Sequence, residues 1–141
     1  MSKASQMLKG LLGLSSSVPT EKQIAKVRVV NIARHKVIAA RVEVATTSAR
    51  RSKGLLGRTS LEPGEGLWIV PCESVHTFGM KIALDLIYLD RRHRVRKIRT
   101  NVRPWRISAC LTAHSVIELA AGSIREEDVQ PGDQIELQPV E

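Results

Sequence analysis

The sequence is poor in aromatic residues and in cysteine, and it has no long hydrophobic run. Aromatics make up 3% of the 141 residues, so a core must be built from Val, Ile and Leu, whose β-branched members favour sheets. The two cysteines, Cys72 and Cys110, are too few for a disulfide-stapled secreted domain. No stretch approaches the roughly 20 apolar residues of a membrane helix. The length still allows one domain with a sizeable core that needs no metal or disulfide to fold.

The N-terminus has little of what a signal peptide requires. Lys3 and Lys9 precede a short apolar stretch at residues 10–14, which serines at 15–17 interrupt before it reaches the roughly 7–15 apolar residues of a leader. We therefore predict a flexible N-terminal extension over residues 1–22 and a single β-rich domain over residues 23–141. A cytoplasmic location is favoured; a secreted or periplasmic one stays open, as does the choice between a leader and a tail for residues 1–17.

Short alternating or apolar segments separated by turn residues predict a β-rich fold. The strand-like segments are 26–32 and 37–44, which form a hairpin, then 67–70, 75–80, 84–89, 94–100, 116–119 and 134–137. Thr46, Thr47 and Ser48 are N-cap candidates for a short helix through residue 53, and Ser123 with Glu126 forms a capping box for a second helical turn. The predicted fold is mostly β: a small antiparallel barrel or sandwich of about seven or eight short strands with two short helices.

A series of short motifs runs through the domain in a distinctive order. It consists of Arg51-x-x-Gly54-Leu55-Leu56-x-Arg58, Gly66-Leu67, Met80, Leu84-Asp85, Leu89-Asp90, Pro104, Val116-Ile117-Glu118-Leu119-x-x-Gly122 and Gly132-Asp133. Over about residues 27–137 this series resembles the bacterial and archaeal family called domain of unknown function 192, in a variant with His-Thr-x-Gly-Met. The chain has Leu56 where the family often has Met, and Gly79 where it often has Trp. The resemblance implies a compact β-rich fold and brings no activity with it.

The stretch from Cys72 to Asp90 holds the residues with the most chemistry. Cys72, His76 and Met80 follow at intervals of four residues, and thiolate, imidazole and thioether together suit copper. Four residues of a strand span about 13 Å, so the three could converge on a metal only if Gly79 bends the chain. The competing interpretation is a satisfied histidine and a core methionine, and we expect no cofactor.

Cys72 and His76 also suggest a nucleophile and its base, the basis of a thiol or hydrolytic enzyme. Asp85 or Asp90 could orient the imidazole. However, no nucleophile elbow is visible, and Pro71 before the cysteine does not mark a helix N-terminus that would lower the thiol pKa. The enzyme therefore stays an alternative, and the sequence favours a protein without catalytic activity.

Asp85 lies inside the apolar run at residues 84–89, and a buried carboxylate there needs a partner. Arg51 and Arg58 are the predicted partners, because their forked guanidinium groups suit a carboxylate. The structural interpretation is an ion pair that locks the short helix onto the sheet. The functional one is a non-catalytic binding or accessory domain for an anionic ligand or peptide, with its site between segments 48–58 and 72–90. The predicted ligand-binding residues are Arg51, Arg58, His76, Met80 and Asp85.

Residues 91–106 carry eight basic side chains and no acidic one. They are Arg91, Arg92, Arg94, Arg96, Lys97, Arg99, Arg103 and Arg106. With Trp105 among them, they make nucleic-acid or acidic-partner binding a second alternative, although no recognition helix, finger or stacking platform is visible. The segment could instead pair with the acidic residues of 118–136, or protect a sheet edge from association.

Overall fold

Nine strands and one short helix follow one another in this computed structural model, which describes residues 25–140. They are β1 (Lys26–Asn31), β2 (Lys36–Ala45), α1 (Ser48–Lys53), β3 (Glu65–Ile69), β4 (Ser74–His76), β5 (Leu84–Leu89), β6 (Val95–Val102), β7 (Ile107–Ala109), β8 (Ser115–Ala120) and β9 (Ile135–Val140). The predicted extension over residues 1–22 lies outside the described residues. Within the described part of the chain, no helix is long and apolar enough to cross a membrane.

Seven strands form one sheet in the order β6-β5-β8-β3-β2-β1-β9, and β4 pairs with β7 in a small second sheet. Neighbours are antiparallel except for β2 and β3, which are parallel and so need a crossover connection. That connection contains α1. The predicted mostly β class is confirmed, but the sheet does not close into a barrel: the residues just before the edge strands β6 and β9, Arg94 and Gln134, form one isolated bridge.

The central strands β5 and β8 are buried on both faces. Ile87 and Leu89 lie with the side chains of β1, β2 and β9 in one apolar cluster, whereas Leu86 and Tyr88 lie in a second cluster with Leu55 and other residues beyond the main sheet. A strand that is covered on both faces reads as a nearly continuous apolar run. The predicted central strand at 84–89 is confirmed, and its two faces lead to different environments.

The first predicted helix is confirmed, and Thr47 is its N-cap. The Thr47 hydroxyl accepts a hydrogen bond from the Arg50 amide at 3.2 Å, which satisfies one of the free amides at a helix start. Glu43 of β2 then anchors the segment, because its carboxylate lies 2.6 Å from Arg50 Nη2 and 3.5 Å from Arg58 Nη2. The ion pair that fixes the helix to the sheet therefore uses Glu43.

The second predicted helix is wrong, since residues 121–128 form turns. The amides of Gly122 and Ile124 both donate to Asp85 Oδ2 at 3.0 Å, and the Ser123 amide, which a capping box would use, donates to the Ala120 carbonyl at 3.1 Å. The Ser123 hydroxyl donates to the Ala120 carbonyl at 2.6 Å. Strand β7 is the element that the sequence did not predict.

Candidate functional site

Asp85 is completely buried, and backbone amides satisfy its carboxylate. Oδ1 accepts from the Asn101 amide at 2.8 Å, and Oδ2 accepts from Gly122 and Ile124. The predicted ion pair with Arg51 or Arg58 is wrong. The physical reason is the alternation of β5: Asp85 shares its face with Ile87, whereas α1 lies over the opposite face.

A cavity of about 110 Å³ opens between α1 and the segment from Cys72 to Met80. Its wall is formed by α1 and the residues after it (Arg51, Ser52, Lys53, Gly54, Leu55, Leu56), by Ile69, by Cys72, Ser74, Val75, His76, Phe78 and Met80, by Leu84, and by Glu118 of β8. The fold thus brings four of the predicted site residues, Arg51, Cys72, His76 and Met80, to one cavity. Arg58 and Asp85 are not part of its wall.

Glu118 is the residue of this cavity that the sequence analysis missed. It is 4% exposed, and its carboxyl forms no hydrogen bond or salt bridge with any residue in the range 25–140. Burial raises the pKa of Glu118 to about 7, because a low-polarity environment disfavours the charged form. The sequence could have indicated Glu118 in the same way as Asp85, because Glu118 is an acidic residue inside the apolar run Val116-Ile117-Glu118-Leu119.

Two glycines lie near Glu118, and close packing requires glycine at one of them, Gly66. Gly54 ends α1 with φ +52°, and a Cβ atom there would lie 3.8 Å from Glu118 Oε2. Gly66 of β3 pairs with Leu119 of β8. A Cβ atom at Gly66 would overlap the Glu118 carbonyl oxygen and lie 2.6 Å from Leu119 Cδ2. The position of the acidic side chain therefore depends on glycine at residue 66.

Cys72 contributes a protonated thiol to the cavity. Burial is the main effect on Cys72 and raises its pKa. A hydrogen bond from Sγ to the Ser74 carbonyl at 3.1 Å lowers the pKa. Of the nearby charges, that of Glu118 raises the pKa and that of Arg51 lowers it. The net direction is upward, which disfavours the reactive thiolate. Within residues 25–140, no three His, Cys, Asp or Glu side chains are placed to hold a metal ion together.

A second feature lies beside the cavity, where Thr77 fixes two chain segments to each other. Thr77 is completely buried; its hydroxyl donates to the Arg103 carbonyl at 2.6 Å and accepts from the Arg106 amide at 2.8 Å. Its carbonyl accepts from the Trp105 amide at 3.0 Å. These bonds bring Trp105 against Phe78, with ring centroids 5.8 Å apart, and the Phe78 ring lies 5.2 Å from that of His76.

The basic segment 91–106 has no acidic counterpart in the described structure. None of its eight basic side chains forms a salt bridge with a residue of the range 25–140. In the acidic segment, Asp133 pairs with Arg34 at 2.6 Å and Asp128 with Lys36 at 3.7 Å. The alternative that the basic segment pairs with the acidic residues of 118–136 is therefore wrong for the charged side chains, although backbone bonds such as that from the Val95 amide to the Asp133 carbonyl at 2.9 Å join the two segments.

Comparison with known proteins gives a family and a fold. The model of the family domain of unknown function 192, described as "Uncharacterized ACR", matches residues 29–137. A "UPF0127 protein" of the archaeon Thermococcus gammatolerans is 34% identical over 113 residues, which cover 76% of this chain and 72% of that protein. Another, from Thermococcus kodakarensis, is 29% identical over 119 residues, covering 80% and 74%.

Two solved structures share the fold. One is a protein of unknown function from Novosphingobium aromaticivorans, with a TM-score of 0.67 and 30% identity, covering 84% of this chain and 89% of that one. The other is a putative transcription regulator from Sinorhizobium meliloti, with a TM-score of 0.70 and 24% identity, covering 80% and 92%. This second likeness is one of fold alone.

Proposed function

The chain belongs to the family called domain of unknown function 192, and we propose that it is a non-catalytic binding domain whose cavity takes the anionic group of a small ligand. The observation that carries the proposal is the isolated carboxyl of Glu118, which lies in a cavity that basic side chains also line. Buried polar groups in folded proteins almost always have a partner. No residue of the described range 25–140 bonds to the Glu118 carboxyl, which lines the cavity, and a bound ligand would supply a partner for it.

The basic side chains around the cavity favour an anion. Arg51, Lys53 and His76 all contribute to its wall, and Arg51 forms no salt bridge with the described residues. A guanidinium group can hold a carboxylate or phosphate through two parallel hydrogen bonds. The apolar part of the wall, including Leu55 and Met80, would then contact the hydrocarbon part of the ligand.

Glu118 would act in this cavity as a neutral acid. A carboxylic acid that a buried site keeps protonated near pH 7 donates a hydrogen bond to an anion, whereas its ionised form repels one. Arg51 and Lys53 of the α1 segment, and Cys72 and His76 of the opposite wall, are the titratable groups that share the cavity with it. Binding of an anion should therefore be coupled to proton uptake by Glu118.

The enzyme alternative has less support. It requires an activated thiolate, and burial shifts the pKa of Cys72 upward. His76 lines the same cavity, but neither Asp85 nor Asp90 is part of the wall to orient it. A binding function uses the protonated thiol as it is, as a small and weakly polar wall element.

Titration with butyrate tests the proposal, because this anion stays ionised between pH 6 and 8 and has a short apolar chain. Chemical-shift changes in the NMR spectrum should be largest at Arg51 and Glu118 and should saturate. The affinity should fall by about tenfold per pH unit above pH 7, where Glu118 ionises. Glu118→Gln should still bind but lose this pH dependence, and Arg51→Ala should lose at least tenfold in affinity.

Arg125→Ala is the matched control, because Arg125 is an exposed arginine in the turns between β8 and β9. It should bind butyrate as the unaltered chain does. Saturable binding of butylamine in place of butyrate, or an affinity for butyrate that rises with pH, would show that the cavity recognises cations and would overturn the proposal.

A further inference from the structure

Three aromatic rings form a continuous stack on the surface. The Phe78 ring lies between those of His76 and Trp105, at centroid distances of 5.2 and 5.8 Å and interplanar angles of 32° and 27°. Phe78 is 43% exposed and Trp105 is 67% exposed. Since large aromatic side chains normally contribute to burial, a stack that leaves its tryptophan open to solvent presents a flat surface to a partner.

The backbone holds Trp105 in this exposed position at a conformational cost. Its φ angle is +66°, in the left-handed region that L residues rarely adopt. Such a conformation persists only where the surroundings determine it, and it is frequent at functional sites. Here the surroundings are the hydrogen bonds of the buried Thr77 to residues 103, 105 and 106.

The charge around the stack is positive. Arg103 and Arg106 flank Trp105 in the same loop; both are exposed, and neither forms a salt bridge with a described residue. Glu73 lies at the far end of the small sheet, because its carbonyl bonds to Cys110 whereas His76 pairs with Ile107. Glu118 shares the cavity wall with His76 and Phe78, whereas Arg103 and Arg106 lie beside Trp105 at the other end of the stack.

We propose that His76, Phe78 and Trp105, together with Arg103 and Arg106, form a contact site for single-stranded nucleic acid. Unpaired bases would stack on the open face of Trp105, and the guanidinium groups would contact the phosphates. A duplex hides its base faces, and an acidic peptide has no flat group at each residue. The single strand is therefore the polyanion that matches both the rings and the charges. This site shares His76 and Phe78 with the wall of the anion cavity, but its cations are Arg103 and Arg106, whereas the anion cavity uses Arg51 and Glu118.

Fluorescence anisotropy with a labelled oligo(dT) 12-mer tests the site on the intact chain. The strand should bind at low salt with an affinity that falls steeply as salt rises. Trp105→Leu, which keeps an apolar side chain but removes the ring, should weaken binding by about tenfold. Arg103→Ala should reduce the slope of log affinity against log salt by about 0.7, the value for one phosphate contact on a single strand.

The controls separate stacking from charge. Arg125→Ala, which removes an exposed arginine in the turns that follow β8, should leave the affinity close to that of the unaltered chain. An abasic 12-mer of the same charge should bind about tenfold more weakly than oligo(dT). No saturable binding at low salt, equal binding of the abasic strand, or displacement of oligo(dT) by poly-glutamate at matched charge would each overturn the proposal. The last outcome would point to an acidic protein partner.

Discussion

Two carboxyl groups lie on the adjacent central strands of the main sheet, and their surroundings are opposite. In the β5–β8 ladder, Asp85 pairs with Leu119 and Glu118 pairs with Leu86, so the two acids are neighbours along the ladder but project to different faces. Asp85 receives three backbone amides. Glu118 receives no hydrogen bond from the described residues, and burial raises its pKa to about 7.

The difference separates an acid with a structural role from one that is a candidate for a functional role. The Asp85 carboxyl group connects the end of β6 to the turn after β8, because it accepts hydrogen bonds from the amides of residues 101, 122 and 124. Glu118 organises nothing within the described chain and faces a cavity. A buried ionisable group whose pKa is perturbed by desolvation in a cleft is a candidate for function. Equal burial therefore does not imply an equal role.

The largest effect is expected from removal of the structural acid. Asp85→Ala leaves three partly buried amides without their acceptor, and it should lower the free energy of unfolding by roughly 3–5 kcal/mol, measured by urea denaturation. Asp90→Ala is the control, since Asp90 accepts from the amides of Arg92 and Arg94 in an exposed turn. It should cost about 1 kcal/mol. Equal costs for the two variants would contradict the structural role of Asp85.

The second effect is a pH dependence that comes from Glu118. The folded-state pKa of about 7 lies above the ordinary value of 4.5, so the folded chain holds this proton more tightly than the unfolded chain. The contribution to stability is complete below pH 4.5 and is lost as the pH rises through 7, by about 3 kcal/mol in total. Glu118→Gln should remove this loss, as seen in unfolding curves at pH 5 and pH 8.

Glu126→Gln serves as the comparison for that measurement, because Glu126 is exposed in the turns between β8 and β9. Its unfolding free energy should follow the unaltered chain at both pH values. A Glu118→Gln chain that kept the full pH dependence would show that another group causes it, and the contrast between the two central acids would disappear.

The smallest effect is expected at the surface, where a third carboxylate is paired in the ordinary way. Arg58→Ala removes the longer of the two contacts to Glu43, 3.5 Å with the arginine 45% exposed. It should change the free energy of unfolding by less than about 0.5 kcal/mol, measured by urea denaturation. A loss of several kcal/mol would mean that Glu43 depends on Arg58 as strongly as Asp85 depends on its amides.

Local patterns allowed the strands and the first helix to be predicted. The β1–β2 hairpin, the helix after Thr47 and the run at 84–89 each follow from residues adjacent in sequence. Strand β7 was missed because it has three residues and its Ile107 side chain is 68% exposed, which leaves no apolar periodicity to detect. Its position depends on pairing with β4, a contact that no local pattern specifies.

The candidate site was predicted in part, and the error concerned the partner of Asp85. Arg51, Cys72, His76 and Met80, from the predicted site between segments 48–58 and 72–90, line one cavity, and their role as a binding site stays a prediction. The partner of Asp85 could not be found in the same way, since backbone amides are present at every residue and leave no trace in the sequence. Glu118 was overlooked although it carried the signal that drew attention to Asp85.

The single bridge between β6 and β9 also affects how the molecule moves. Near this bridge the Val95 amide donates to the Asp133 carbonyl and the Ile135 amide to the His93 carbonyl. Few hydrogen bonds therefore close this seam between the two edges of the sheet, whereas β5 and β8 share six residue pairs. Local opening begins where few bonds must break. Local opening should therefore start at this seam, which lies across β5 from β8. Strand β8, which carries Glu118, should stay paired until the chain unfolds as a whole. We therefore expect the amides of β5 and β8 to exchange with solvent more slowly than those at the seam.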